Sequence, residues 1–379
     1  MDYGETAAEA IAREASEDTT LVAVVGLGIS RTGTREAILR LARPDTLIPT
    51  IGTGITATDL ATKTSPYYHQ VGPTNQREAE VAAFYAKARL NAKKVTIYYS
   101  GDEKDLYSSD LRDQAKRAFQ ERGLAVQKRR YKINPGDYGS VVHLAGKDAC
   151  DIGADGVVFY AGRGSELSEF FAGMEQKCKS KYPCFLGGDA VSRFVLDGRI
   201  DKYPGLVIDY LEQASSLAWE SDCNVTPDDV GFFDSYRRLF GEVECSSIRS
   251  SGSLLAYDTL LVFIQGLRNA AGLRNAAVFQ QPTRDEVLAG IGAINSGNEG
   301  QGSLRGTSGK IDYPSTSDQD QAVPKDKAIL VLRGQASGEP TRMLLCGQLD
   351  TAQPPPDDCS TAPPGSQVSR DPATQRNLR

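Results

Sequence analysis

The sequence predicts an α/β fold of two lobes, with parallel β-sheets flanked by helices. Three observations point there. Short, nearly continuous apolar runs recur at residues 21–27, 46–51, 94–99, 155–160, 183–186 and 205–208. Amphipathic stretches lie between them, so each strand is covered on both faces, as parallel strands with helical crossovers are. At 379 residues, 40% of them hydrophobic, the chain is long enough to bury a core in each of two lobes.

The elements follow in order. Residues 5–15 read as a helix, and LVAVVGL (21–27) as a buried strand running into the loop Gly28-Ile29-Ser30. The second strand, 46–51, runs into Gly52-Thr53-Gly54-Ile55-Thr56. Helical periodicity covers 77–90 and, after the strand KVTIYY (94–99), 111–122, where Gly123 supplies a C-cap. DGVVFY (155–160) is the next strand. Beyond residue 210 strands become rarer: 232–240 and 253–271 read as helices and 328–333 as a late strand. From Thr351 onward the chain is rich in proline (Pro354, Pro355, Pro356, Pro363, Pro364, Pro372), so 351–379 is expected to be a flexible tail without a core.

Composition removes several functions. A formal net charge of −6 argues against nucleic acid as a partner, because phosphate binding needs a basic face. No apolar run approaches the roughly 18–20 residues of a membrane span. With only His69 and His143, a histidine-based metal site or triad is not expected, and no cofactor is implied. Gly26, Gly28 and Arg31 break the dinucleotide fingerprint at its third glycine, and Gly28 to Gly33 lacks the Lys-Ser/Thr of a phosphate loop. A G-x-S-x-G elbow is absent, and the paired acids Asp228-Asp229 and Asp357-Asp358 read as solvated surface, so no catalytic residue is assigned.

What remains is the general physics of parallel sheets, where loops at the carboxyl ends of strands form the ligand crevice and helix N–H groups attract anions. The loops ending at Ser30 and Thr56 have this form. The competing reading is that both hydroxyls cap their helices. Seven cysteines suggest an oxidising compartment. Three disulfides drawn from Cys178, Cys184, Cys223, Cys245, Cys346 and Cys359, with Cys150 left over, are expected. Buried free thiols are the alternative. The acidic start Met1-Asp2-Tyr3-Gly4-Glu5 is not a secretory signal, so an upstream signal or membrane anchor is expected.

Five segments stand in the order and spacing of a known group: LVAVVGLGISRTGT (21–34), LIPTIGTGITATDLA (47–61), SPYYHQVGPTNQREAEVAA (65–83), KKVTIYYSGDEKDLYSSDLRDQAKRAFQERG (93–123) and PCFLGGDAV (183–191). Together they resemble the type I periplasmic-binding-protein fold, in the leucine/isoleucine/valine-binding branch of ABC-transporter substrate-binding proteins. The likeness spans about residues 5–335. It implies two α/β lobes, 1–74 with 209–310 and 75–208 with 311–345, closing on an amino acid outside the cytoplasm. It also implies a first lobe lacking its N-terminal strand, helix and strand, which would leave the strand at 21–27 short of a neighbour.

The resemblance carries ligand-binding roles onto Ser30, Gly54, Thr56, Tyr107 and Asp189. Ser30 and Thr56 would hold an α-carboxylate, and the Gly54 carbonyl with Asp189 would take an α-ammonium. Asp189 could instead be a turn residue after Gly187-Gly188. Arg163 stands where the family often has an aromatic residue, and Arg31 sits beside the first loop. If either points into the cleft, an acidic or polar ligand is favoured over a branched aliphatic one; otherwise both are solvated on its rim. Gln70 and Asn75 replace the arginine and aspartate common at the lobe crossing. The implied function is capture of an amino acid or similar zwitterion for an ABC permease. A sensory ectodomain fused to a signalling domain is the alternative, and an enzyme would be revealed by turnover of the ligand.

Overall fold

A computed structural model describes residues 3–28, 30–60, 66–131, 138–153, 155–179, 181–213, 232–241, 251–273, 281–295, 304–314, 323–324, 329–336 and 342–349. The tail at 351–379 lies outside the described residues.

Two sheets organise the chain. The smaller has three parallel strands in the order β1 (Val24–Gly26), β2 (Thr50–Gly52) and β3 (Tyr68–Gln70). The first helices are α1 (Tyr3–Glu17) and α2 (Thr32–Leu41), which pack on each other. Ala12 and Ala15 of α1, with Ala37 and Leu41 of α2, close over Val24 and Ile48. No strand lies outside β1 among the described residues, yet its apolar face is covered by α1. The strand at 46–51 begins late, because Leu47 takes a positive φ of 48° and Pro49 follows.

Helix α3 (Asn75–Ala88) carries the chain to the larger sheet, whose order is β12-β11-β8-β7-β6-β4-β5. Its parallel strands are β4 (Lys94–Ser100), β5 (Ala125–Tyr131), β6 (Gly156–Ala161), β7 (Cys184–Gly187) and β8 (Val207–Glu212). Helices α4 (Leu106–Glu121), α5 (Tyr138–Ala149) and α6 (Leu167–Cys178) link them, and a single turn, α7 (Ser192–Leu196), follows β7. One face buries Ala82, Tyr85, Leu111, Phe119 and Phe159, and the other Tyr160, Phe170, Phe171, Phe185 and Phe194.

Helices α8 (Phe232–Phe240), α9 (Ser251–Leu273) and α10 (Arg284–Gly292) come next. Val262 of α9 with Val287 and Ile291 of α10 packs against Ile51 of the small sheet. A short hairpin pairs β9 (Leu304–Gly306) with β10 (Gly309–Ile311), and β11 (Ile329–Gln335) and β12 (Arg342–Leu349) close the large sheet antiparallel.

The expected cysteine pairing is corrected. Cys150 and Cys178 form a disulfide, with their Cα atoms 5.5 Å apart, and Cys184 is a free, exposed thiol. The cause is helix contact. A Cβ on Gly146 of α5 would stand 1.9 Å from the Phe170 carbonyl oxygen, and one on Gly173 of α6 1.9 Å from that of His143. Only glycines let the two backbones approach so closely, which brings the residue after α5 to the last residue of α6. Cys223, Cys245, Cys359 and the side chain of Cys346 lie outside the described residues.

His69 in β3 is buried edge-on against Tyr313, with ring centroids 4.9 Å apart. Burial lowers its pKa to about 4. The unfolded chain protonates this histidine near its ordinary value while the folded chain resists, so stability is lost as pH falls through that interval. Urea denaturation should show a cost of roughly 3 kcal/mol at pH 4 relative to pH 7 attributable to this residue. His69→Phe should lack that component, and an unchanged pH dependence in the variant would contradict the assignment.

Candidate functional site

The site begins where β1 and β2 end. Gly26 takes φ +120°, a conformation that side chains rarely adopt, and turns the chain out of β1. The two strand-end loops lie against each other: a Cβ on Gly54 would be 3.0 Å from the Gly28 carbonyl oxygen. Across this contact the Thr56 N–H donates to Ser30 Oγ at 3.1 Å. Neither hydroxyl caps a helix. Arg31 occupies the N-cap of α2 without a side-chain cap bond, and the buried Thr56 Oγ1 has no hydrogen-bond partner.

The large sheet supplies the opposite wall. Asp105 caps α4 by accepting from the Ser108 N–H, and the next residue but one is Tyr107. Arg163, from the loop after β6, reaches back to Asp105 through Nε at 3.1 Å and Nη2 at 2.6 Å. The same Nη2 donates to the Ser30 carbonyl at 2.8 Å, which also accepts from the Tyr107 N–H at 3.1 Å. The guanidinium carbon lies 5.1 Å from the Tyr107 ring centroid. Arg163 is therefore not a solvated rim residue, but its charge is matched by Asp105. Burial pulls its pKa down, and Asp105 more than offsets this, so it stays above the usual arginine value. Arg31 is likewise paired, with Asp102 at 2.7 Å.

From the end of β7 comes Asp189. Its N–H donates to Glu78 Oε1 at 2.7 Å, and its Oδ2 accepts from Gln213 Nε2 at 2.7 Å. The next residue, Ala190, donates its N–H to the Tyr107 hydroxyl at 3.4 Å. Burial raises the pKa of Glu78 well above the ordinary carboxylate range, and the neighbouring Asp189 charge adds to it. Burial also raises that of Asp189, opposed by the Tyr107 hydroxyl.

Ser30, Thr56, Tyr107, Arg163 and Asp189 are thus linked through a short chain of contacts, with Gly54 in the loop that ends at Thr56. Sequence reasoning missed Asp105, Glu78 and Gln213. Glu78 had a readable signal, because it shares the buried stripe of α3 with Ala82, Tyr85 and Ala86, where an acid is out of place. Gln70 and Asn75 flank the site: Gln70 Nε2 donates to the Gly72 carbonyl, and Asn75 Nδ2 to Asp110. Among the described residues no group of three His, Cys, Asp or Glu side chains is placed to hold a metal ion, and no helix is long and apolar enough to cross a membrane.

The sequence profile described as periplasmic binding protein matches residues 3–305, most of the chain. The chain belongs to that family. Its fold is shared with a leucine-binding protein, LivK, of Thermotoga maritima MSB8, at TM-score 0.66 and 16% identity over 92% of this chain and 85% of that one. It is shared with a solute-binding protein of Rhodopseudomonas palustris solved with 4-hydroxybenzoate, at TM-score 0.64 and 17% identity over 92% and 83%. It is also shared with LivJ of Streptococcus pneumoniae solved with isoleucine, at TM-score 0.61 and 18% identity over 90% and 84%. No curated protein matches the sequence. The resemblance read from the five segments holds at the level of family and fold. Members of this periplasmic family bind small molecules outside the cytoplasm and serve ABC permeases.

Removing Arg163 should leave Asp105, which is 1% exposed, as an uncompensated buried charge. Arg163→Ala is expected to cost about 3–5 kcal/mol in urea denaturation. Adding Asp105→Asn, which keeps the cap, should recover much of that loss. A double variant no more stable than Arg163→Ala would refute the pairing argument.

Proposed function

We propose that this protein captures an amino acid or a similar small zwitterion by hinge closure and delivers it to an ABC permease. The observation that carries the reading is the meeting of two chemically opposite ends. Ser30 and Thr56 offer hydroxyls for a carboxylate, and Asp189 with Glu78 offers carboxyl oxygens for an ammonium. Thr56 Oγ1, Glu78 Oε2, Asp189 Oδ1 and Gln213 Oε1 are buried without partners, and buried polar groups are rarely left so. A bound solute supplies what they lack. The neighbours' ligands, isoleucine and 4-hydroxybenzoate, both have a carboxyl group, which supports the Ser30 and Thr56 end as its seat.

In this reading the lobes divide near residues 74, 212 and 313 rather than 74, 208 and 310, because β8 (Val207–Glu212) lies wholly in the large sheet and Tyr313 packs with Ile51 of the small one. Tyr107 and Arg163 hold the cleft wall, and Arg163 acts by fixing the Ser30 carbonyl and the Tyr107 ring. The Gly54 carbonyl joins Asp189 at the ammonium. No bond of the ligand is made or broken.

A thermal-shift screen of the twenty amino acids tests this. An authentic ligand at 100 times its Kd stabilises the folded state by about 2.7 kcal/mol, enough for a clear rise in Tm. Ser30→Ala should weaken binding by about 1.5–3 kcal/mol, the worth of a hydrogen bond to a charged group. No Tm rise with any amino acid at millimolar concentration would overturn the proposal.

A further inference from the structure

Glu78 is a buried acid that the fold uses only in part. It sits in the first turn of α3, fully buried, and one oxygen accepts the Asp189 N–H while the other, Oε2, has no partner. Asp189 repeats the pattern, with Oδ2 held by Gln213 and Oδ1 unpartnered. Gln213, 1% exposed, has already spent its amide nitrogen on Asp189, so its unpartnered Oε1 lies beside the pair. The three unmet atoms are oxygens that accept. What lies among them must donate.

Charge narrows the donor. Two carboxyls share this spot, and the nearby cation, Arg163, is matched by Asp105. A single α-ammonium balances one carboxylate and leaves the other needing a proton or a second cation. Gly188 holds the geometry closed from behind: a Cβ there would meet the Tyr107 hydroxyl at 2.4 Å and Glu78 Oε1 at 2.7 Å.

We propose that Glu78 and Asp189 form a paired-carboxyl seat selecting a ligand with a further positive group beyond an α-ammonium: a basic amino acid, or another small amine bearing a second ammonium or a guanidinium. This rests on the reading that the cleft captures a small solute. The groups facing Glu78 are Asp189 after β7, Glu212 of β8, and Asp110 and Tyr107 of α4, and Asp189 also faces Arg163 after β6. Burial and these acids raise the pKa of both carboxyls, so the pair resists carrying two charges by itself. A second positive group on the ligand lets both carboxyls ionise, and any proton so displaced goes to the buffer, so the positive charge gained equals the positive charge released.

Isothermal titration of the full chain at neutral pH, in two buffers of different ionisation enthalpy, tests this with L-arginine, L-lysine, putrescine, L-leucine and 4-hydroxybenzoate. Arginine or lysine should bind at least about tenfold more tightly than leucine, the equivalent of roughly 1.4 kcal/mol, with about one proton released per ligand. Glu78→Gln, which retains an acceptor for the Asp189 N–H, should reduce that preference about tenfold and abolish the proton release. Its Tm without ligand should not fall, which separates loss of charge from loss of fold. Leucine or 4-hydroxybenzoate binding as tightly as arginine, without proton release, would overturn the paired seat while leaving solute capture intact. An unchanged preference in Glu78→Gln would do the same. Putrescine binding without any amino acid would uphold the seat and remove the zwitterion reading. Binding of none of the five would remove both.

Discussion

The structure of the cleft depends on the buried pair between Arg163 and Asp105. Asp105 is fixed first, by capping α4, so its carboxylate has one position. The guanidinium then grips it along one edge and turns an Nη2 hydrogen toward the Ser30 carbonyl. A planar fork can do both at once, which a lysine ammonium cannot. The Tyr107 ring fills the space beneath the guanidinium, and its hydroxyl ends beside Asp189. Each site residue thus inherits its place from a neighbour already held, and one ion pair sets the spacing between the strand-end loops and the far wall.

The same pair decides the electrostatics of what is left. Because the positive charge of Arg163 is used internally, the remainder of the cleft is acidic, with Glu78, Glu212 and Asp189 close together. An exposed acid cluster would be screened by water and say little. Glu78 and Glu212 are removed from water and Asp189 is partly so, so their charges act at close range and need protons or a cation. Arginine at the position of Arg163 suggested from sequence a preference for an anionic guest. Asp105 reverses that inference, because it supplies a nearer anion.

How much of this was legible in the sequence follows from what kind of information each feature uses. The strands β4, β6 and β7 announce themselves as apolar runs because both faces are buried, whereas β8, read at 205–208, runs from Val207 to Glu212 and carries Asp209 and Glu212. Strand β5 does not, since AVQKRRY lies at the sheet edge and carries the charges expected there. Helices α5 and α6 meet through Gly146 and Gly173, residues that lower helix propensity locally, so neither the helices nor the disulfide they create could be read along the chain. Ser30 and Thr56 were readable because strand-end loops with hydroxyl residues have a local signature. Gln213 was not, and Glu78 showed only as an acid out of place on an apolar stripe, with no hint of its role. Their significance comes from Asp189, more than twenty residues away from either in sequence.

In the proposed reading the contacts across the cleft are modest, and that bears on how closure responds to a guest. Arg31–Asp102 is about a quarter to a third exposed (26% and 34%), and such pairs contribute at most about 1 kcal/mol. The hydrogen bonds from Tyr107 and Arg163 to Ser30, and from Thr58 to Asp110, contribute on the order of 0.5–1.5 kcal/mol each. Against them stand the buried unpartnered oxygens of Thr56, Glu78, Asp189 and Gln213, each costing about 1–3 kcal/mol when dry. In the proposed reading the unmet oxygens therefore offset the contacts that hold the two walls together until a solute satisfies them. A ligand shifts such a balance only by binding the closed form better than the open one. In the proposed reading, satisfying those four oxygens is an interaction available only after closure, and it is the source of the bias.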